Sequence, residues 1–102
     1  MSYTATHHEQ ATALQKLQDI QAAAQQVQND FARDQIQHYI VNANIEAYND
    51  LLEVSYLADS GEITEAATAE LSIIYLRQDI INLEEDNSYI KTWFSTQFPT
   101  LF

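Results

Sequence analysis

The chain has 102 residues, no cysteine, and fifteen acidic residues against four basic ones, for a formal net charge of −11. A chain of this length fits one domain, which buries only a modest core unless its helices pack well or its subunits associate. Because the chain has no cysteine, it has no disulfide, no thiolate metal site and no cysteine nucleophile. Its negative charge repels phosphate backbones and anionic lipids, and no apolar run approaches the roughly 20 residues that cross a bilayer, so we expect a cytoplasmic protein that binds neither nucleic acid directly nor a membrane.

The first predicted helix carries an apolar stripe from Ala13 to Phe31, in which apolar residues recur at steps of three and four. The other positions of this segment are rich in glutamine, which is a good helix former. The stripe then slips, because the next strong apolar residue, Ile36, is five positions beyond Phe31. Asn29 and Asp30 are both suitable N-caps, so we predict that the helix ends or kinks near residue 30 and that a second helix follows.

The second predicted helix has apolar residues on two nearly opposite sides. One side comprises Ile36, Ile40, Ala43, Ala47, Leu51, Val54 and Ala58. The other side comprises Val41, Ile45, Tyr48, Leu52 and Tyr56. A helix that is apolar on both sides either lies centrally among its neighbours or offers one side to another chain.

Gly61 is the one glycine of the chain, and it follows Asp59 and Ser60. Glycine adopts a left-handed C-terminal cap without steric penalty, and Thr64 is a suitable cap for a further helix. We therefore predict a long antiparallel helical hairpin that turns at Gly61.

The third predicted helix has the clearest heptad pattern, with apolar positions from Ala69 to Phe94 at steps of four and three. Asn87 interrupts the pattern: it either fixes the register of a helix pairing or marks a bend between Glu84 and Ser88. Pro99 ends the helix and leaves a short apolar tail. The predicted fold class is therefore all-α, a single bundle of about three helices. Its predicted self-association seam, which would form a homo-oligomer, consists of Ile73, Leu76, Ile80, Leu83, Asn87, Ile90 and Phe94.

The chain lacks the motifs of the common catalytic sites. A single glycine excludes phosphate-binding and dinucleotide-binding loops, no serine lies in a G-x-S-x-G elbow, and no Glu-x-x-His pair is present for a di-iron bundle. His38 lies one helical turn after Asp34, a spacing that fits either a surface pair or two ligands of a metal site. We expect a protein that is not an enzyme, that holds no cofactor or metal, and that acts on a protein partner.

The acidic residues are concentrated in the middle of the chain, where residues 42–86 hold eleven of the fifteen and Arg77 is the only basic residue. The predicted acidic surface comprises Glu46, Asp50, Glu53, Asp59 and Glu62. Regularly spaced carboxylates on helices imitate a phosphate backbone in some inhibitors of nucleic-acid-binding proteins, so an acidic inhibitor of that anti-restriction type is the alternative function. The simpler interpretation is that the acids keep an apolar-rich helical protein dissolved.

The segments A-Y-N-D-L-L (47–52) and S-G-E-I-T-E (60–65), followed by a long helix that ends in N-S-Y-I (87–90), resemble the layout of the YlbF/YheA/YmcA family of small bacterial helical proteins. The resemblance covers about half of the chain. It implies a helical, self-associating, non-enzymatic regulatory protein that acts through protein contacts. Members of that family that hold iron–sulfur clusters do so with cysteines, which this chain lacks, so the resemblance implies no cofactor here.

Overall fold

The computed structural model describes residues 7–53, 65–83 and 88–102, and the fold of these ranges is all-α, as predicted. Four helices lie in the described ranges. They are α1 (His7–Gln25), α2 (Asp30–Leu52), α3 (Glu65–Ile81) and α4 (Ser88–Gln97).

The break between α1 and α2 lies at the predicted place. Asn29 is the N-cap of α2, because its side-chain oxygen accepts a hydrogen bond of 2.9 Å from the backbone N–H of Ala32. Arg33 holds the corner from the first turn of α2, since its guanidinium bonds Asp30 at 2.7 Å and the carbonyl of Val27 at 3.1 Å. The sequence signal for this corner was therefore sound, and an arginine reinforces the cap.

The third predicted helix is not continuous, and the prediction of three helices is not confirmed. Helix α3 ends at Ile81, and α4 is a separate helix that begins at Ser88. The last carbonyls of a helix have no hydrogen-bond partner within it. At the end of α3 the ammonium of Lys91 on α4 donates a hydrogen bond of 3.0 Å to the carbonyl of Ile81, which satisfies one of these carbonyls.

The predicted hairpin at Gly61 is likewise not confirmed, because residues 54–64 lie outside the described ranges. What the structure does describe is the contact between the end of α2 and the start of α3. Ala47 and Leu51 of α2 form a buried cluster with Ala67 and Leu71 of α3. These two helices therefore pack side by side at the end where the intervening segment begins and ends.

The main core lies between α1, α2 and α3, and α4 closes one end of it. Its fully buried large side chains are Ile20, Ile36, Leu76, Ile80, Ile90 and Phe94. The segment after Pro99 folds back on this core, with the rings of Phe94 and Phe102 centred 5.0 Å apart. The aromatic C-terminal stretch thus contributes to packing within the single chain.

Candidate protein-interaction surface

Helix α2 buries one of its two apolar sides and leaves the other exposed. The buried side consists of Ile36, Ile40, Ala43, Ala47 and Leu51. On the opposite side Val41, Ile45, Tyr48 and Leu52 are 51%, 53%, 46% and 43% exposed, and we call these four residues the outer strip. Tyr56, which was predicted to continue this side, lies outside the described residues. Exposed apolar residues scattered singly are ordinary on a protein surface, but four in a row on one helix face are a contiguous patch of the kind that marks an interaction site.

Uncharged side chains border the outer strip. Asn42 and Asn49 lie on one side of it and Asn44 lies on the other, as the helical period of 3.6 residues requires. From residue 35 to residue 45 the helix carries no Asp, Glu, Lys or Arg. A partner can therefore approach the half of the strip that contains Val41 and Ile45 without removing a charge from water, which would cost free energy.

A groove of about 530 Å³ adjoins the outer strip between α1 and α2, with the start of α3 at its side. Ile45 and Tyr48 belong to both the strip and the groove. Its other lining residues are Leu14, Leu17, Gln21, Asn44, Asn49, Glu65, Thr68 and Ala69. The side-chain oxygen of Asn44 is buried there and has no hydrogen-bond partner among the described residues. A buried acceptor without a donor costs free energy, so this edge of the groove gains from any ligand that brings an N–H or O–H group.

The acidic side chains Glu46, Asp50 and Glu53 are exposed on α2, as predicted from the sequence. The phenol of Tyr75 on α3 donates a hydrogen bond to the carboxylate of Asp50. This hydrogen bond, with burial and the negative charges of Asp50, Glu46 and Glu53, raises the pKa of Tyr75 to about 12. The other two residues of the predicted acidic surface, Asp59 and Glu62, lie outside the described residues.

The predicted self-association seam lies mostly inside the single chain. Ile73, Leu76, Ile80, Ile90 and Phe94 are at most 8% exposed. Leu83 packs against the same core and is partly buried, while Asn87 lies outside the described residues. The neighbouring helices already cover these side chains, so a second copy would need another surface. The outer strip of α2 is one such surface, and Ile74 and Ile81 on α3 are also 40% and 54% exposed. Self-association itself stays a prediction.

The possible metal pair of His38 and Asp34 does not form a ligand cluster. The imidazole of His38 shares a hydrogen bond of 2.9 Å with the amide of Asn42. Among residues 7–53, 65–83 and 88–102 no three His, Asp or Glu side chains are grouped closely enough to hold a metal ion. None of the helices in these ranges combines the length and the apolarity that a bilayer crossing needs.

Sequence reasoning missed the groove and the contact between Tyr75 and Asp50. The groove combines residues from three helices, and no pattern in one segment indicates how far apart two helices pack. Tyr75 and Asp50 are 25 residues apart, and a lone tyrosine on a helix carries no signal for its partner. The outer strip was found as one of two apolar sides, but only the packing shows which side is left uncovered.

Comparison with known proteins adds no family assignment. No protein-family model, curated protein or solved structure matches the chain. The resemblance to the YlbF/YheA/YmcA family therefore stays a prediction.

Proposed function

We propose that this protein is a non-catalytic, cytoplasmic interaction module that acts by binding protein through the outer strip of α2 and the adjoining groove. The observation that carries the proposal is the uncovered apolar side of α2, on which four consecutive strip residues are between 43% and 53% exposed. Transfer of such side chains out of water is the main favourable term in protein association. A regulatory role, which the family resemblance implies, fits a protein that works by contact.

The shape of the site favours an elongated partner over a small molecule. The groove holds about 530 Å³, but it is continuous with the outer strip through Ile45 and Tyr48. An amphipathic helix that lies along α2 covers the strip with apolar side chains at helical spacing and places one of them in the groove, in the helix-in-groove mode of recognition. A compact ligand in the groove leaves Val41 and Leu52 uncovered.

The experiment compares Ile45→Glu with Gln78→Glu as purified baits. Ile45 is in the centre of the strip, whereas Gln78 is an exposed residue of α3 outside the strip and the groove, so both variants add the same charge at a surface position. We expect proteins retained by the wild type and by Gln78→Glu to be lost with Ile45→Glu, while all three baits keep the same helical content by circular dichroism. If Ile45→Glu retains the same proteins as the wild type, the outer strip is not the binding surface.

The exposed acids Glu46, Asp50 and Glu53, which we call the acidic flank, support a second candidate function, that of an inhibitor that imitates nucleic acid. Glu46, Asp50 and Glu53 are exposed at steps of four and three residues, so their carboxylates follow one another roughly every 5 Å along the helix. Double-stranded DNA carries a charge about every 1.7 Å along its axis, which is about three times denser. The three acids therefore match the charge density of a phosphate backbone poorly. The outer strip has the spacing of a helix-binding surface, so we favour binding through the strip.

A further inference from the structure

We propose that the outer strip pairs with the outer strip of a second copy of this chain, with the two α2 helices antiparallel about a two-fold axis near Ile45. The inference rests on the proposed function and names its partner. Three observations support it: the spacing of the exposed residues, the register that this spacing allows, and the placement of charge along α2.

The spacing is that of a helix-pairing seam. His38, Val41, Ile45, Tyr48 and Leu52 follow one another at steps of three, four, three and four, and all five are exposed. This alternation keeps side chains on one line along the helix and is the pattern by which two helices pack knobs into holes. The interior side of α2, which packs against three other helices, also follows such steps, but those residues are already covered.

The same spacing is self-complementary when a second α2 runs in the opposite direction. If Ile45 lies opposite Ile45 of the second copy, Val41 faces Tyr48, and His38 faces Leu52. A small side chain then meets a large one on each side of the axis, which helps facing layers interdigitate. A two-fold arrangement uses the same patch on both copies and closes on itself.

The charges of α2 favour the antiparallel direction. The exposed acids Glu46, Asp50 and Glu53 lie in the last third of the helix or directly after it, and Asp30 and Asp34 lie in its first two turns, on either side of a stretch from 35 to 45 without Asp, Glu, Lys or Arg. A parallel pair would bring each acidic end against its own counterpart. The antiparallel pair places Asp50 and Glu53 of each copy beside the uncharged stretch of the other, so these carboxylates do not face their own counterparts in two chains of net charge −11 each.

The border of the strip also fits a second copy better than a basic helix from another protein. A basic partner is held by acids beside the seam, at the positions that set partner choice in paired helices. Here those positions are Asn42, Asn44 and Asn49, which are neutral. Asn44 has a buried oxygen in need of a donor, and the second copy brings donors in the amide groups of its own strip border.

The absence of cysteine from the chain allows a direct test of the arrangement by disulfide cross-linking. Under mild oxidation we expect Ile45→Cys to form a covalent dimer, because the two thiols face each other near the axis. Gln78→Cys on α3 is the matched control and should stay monomeric under denaturing conditions. A mixture of Val41→Cys and Tyr48→Cys should cross-link mainly between the two variants, whereas parallel helices would join each variant to itself.

Mass measurement of the unmodified chain separates failure of this inference from failure of the proposed function. Light scattering over rising protein concentration should show a reversible dimer, which Ile45→Glu abolishes and Gln78→Glu preserves. A wild type that stays monomeric, or cross-linking at Gln78→Cys equal to that at Ile45→Cys, overturns the second copy as the occupant. In that case the bait comparison of Ile45→Glu still decides separately whether another protein binds the strip.

Discussion

The side-chain oxygen of Asn29 accepts a hydrogen bond from the backbone N–H of Ala32, which has no partner within α2. We expect Asn29→Ala to lower the free energy of unfolding by roughly 1 kcal/mol. For a domain of this size that lowers the melting temperature by about 4–8 °C. Thermal unfolding followed by circular dichroism measures the change.

Asn29→Ser is the control for this prediction, because serine also caps helices with its side-chain oxygen. It should keep most of the wild-type stability. Equal losses for alanine and serine would mean that the amide of Asn29 matters for a reason other than the cap.

The hydrogen bond from Tyr75 to Asp50 makes stability depend on pH in the alkaline range. The folded state raises the pKa of Tyr75 from 10.0 to about 12, so the protonated phenol is favoured by folding. The resulting stabilisation is fully present below pH 10.0 and is lost as the pH rises through about 12. We therefore expect the wild type to lose more stability over that range than Tyr75→Phe does, measured by urea unfolding at each pH.

Tyr89→Phe is a matched control, since Tyr89 is an exposed tyrosine on α4. Its decline with pH should follow that of the wild type. Below pH 10.0, Tyr75→Phe should be less stable than the wild type by about 0.5–1 kcal/mol, the usual net value of one hydrogen bond near the surface. If the alkaline declines of Tyr75→Phe and the wild type coincide, the contact contributes nothing in solution.

At the scale of the helices, periodicity predicted which residues share a face but not what covers that face. The stripe of α1 from Ala13 to Ala24 and the side of α2 that contains Ile36 and Ile40 are in the core, as expected. Phe31, the last residue of the predicted stripe, instead lies in α2 and is 67% exposed. The heptad from Ile73 to Phe94 also reads as a seam between chains, yet the single chain covers it. An apolar stripe needs a neighbour, and whether that neighbour is the same chain or another is decided by three-dimensional packing.

The division of the third predicted helix into α3 and α4 has the same kind of origin. Helix propensity alone does not end a helix after Ile81, since the heptad continues to Phe94. Packing settles the matter, because α4 contacts both α3 and α2 at the end of the bundle. Ile90 and Phe94 reach the core from a separate helix and are 0% exposed.

Lys91 links these two helices, because its ammonium donates to the carbonyl of Ile81 at the C-terminal end of α3. A cation at that end also interacts favourably with the helix dipole. We expect Lys91→Gln to lower the free energy of unfolding by about 0.3–1 kcal/mol, and the loss should shrink at high salt. Chemical unfolding at two salt concentrations tests this, with Lys16→Gln as the control that removes the same charge from α1. A loss of equal size for both variants would assign the effect to net charge rather than to the contact.

At the scale of the whole molecule, the two proposed binding surfaces of α2 predict opposite effects of salt concentration on binding affinity. If copies pair through the uncharged outer strip, the long-range force between two chains of net charge −11 opposes association. We expect the dimer to tighten as salt rises from about 0.02 M to about 0.3 M, where the screening length falls well below 10 Å. Replacing Glu46, Asp50 and Glu53 together by glutamine should tighten it at low salt and abolish most of the salt dependence, as sedimentation equilibrium measures. A protein partner whose affinity instead falls steeply with salt, and which the triple variant no longer binds, would show that Glu46, Asp50 and Glu53 form the binding surface, because salt lowers affinity only where opposite charges attract each other.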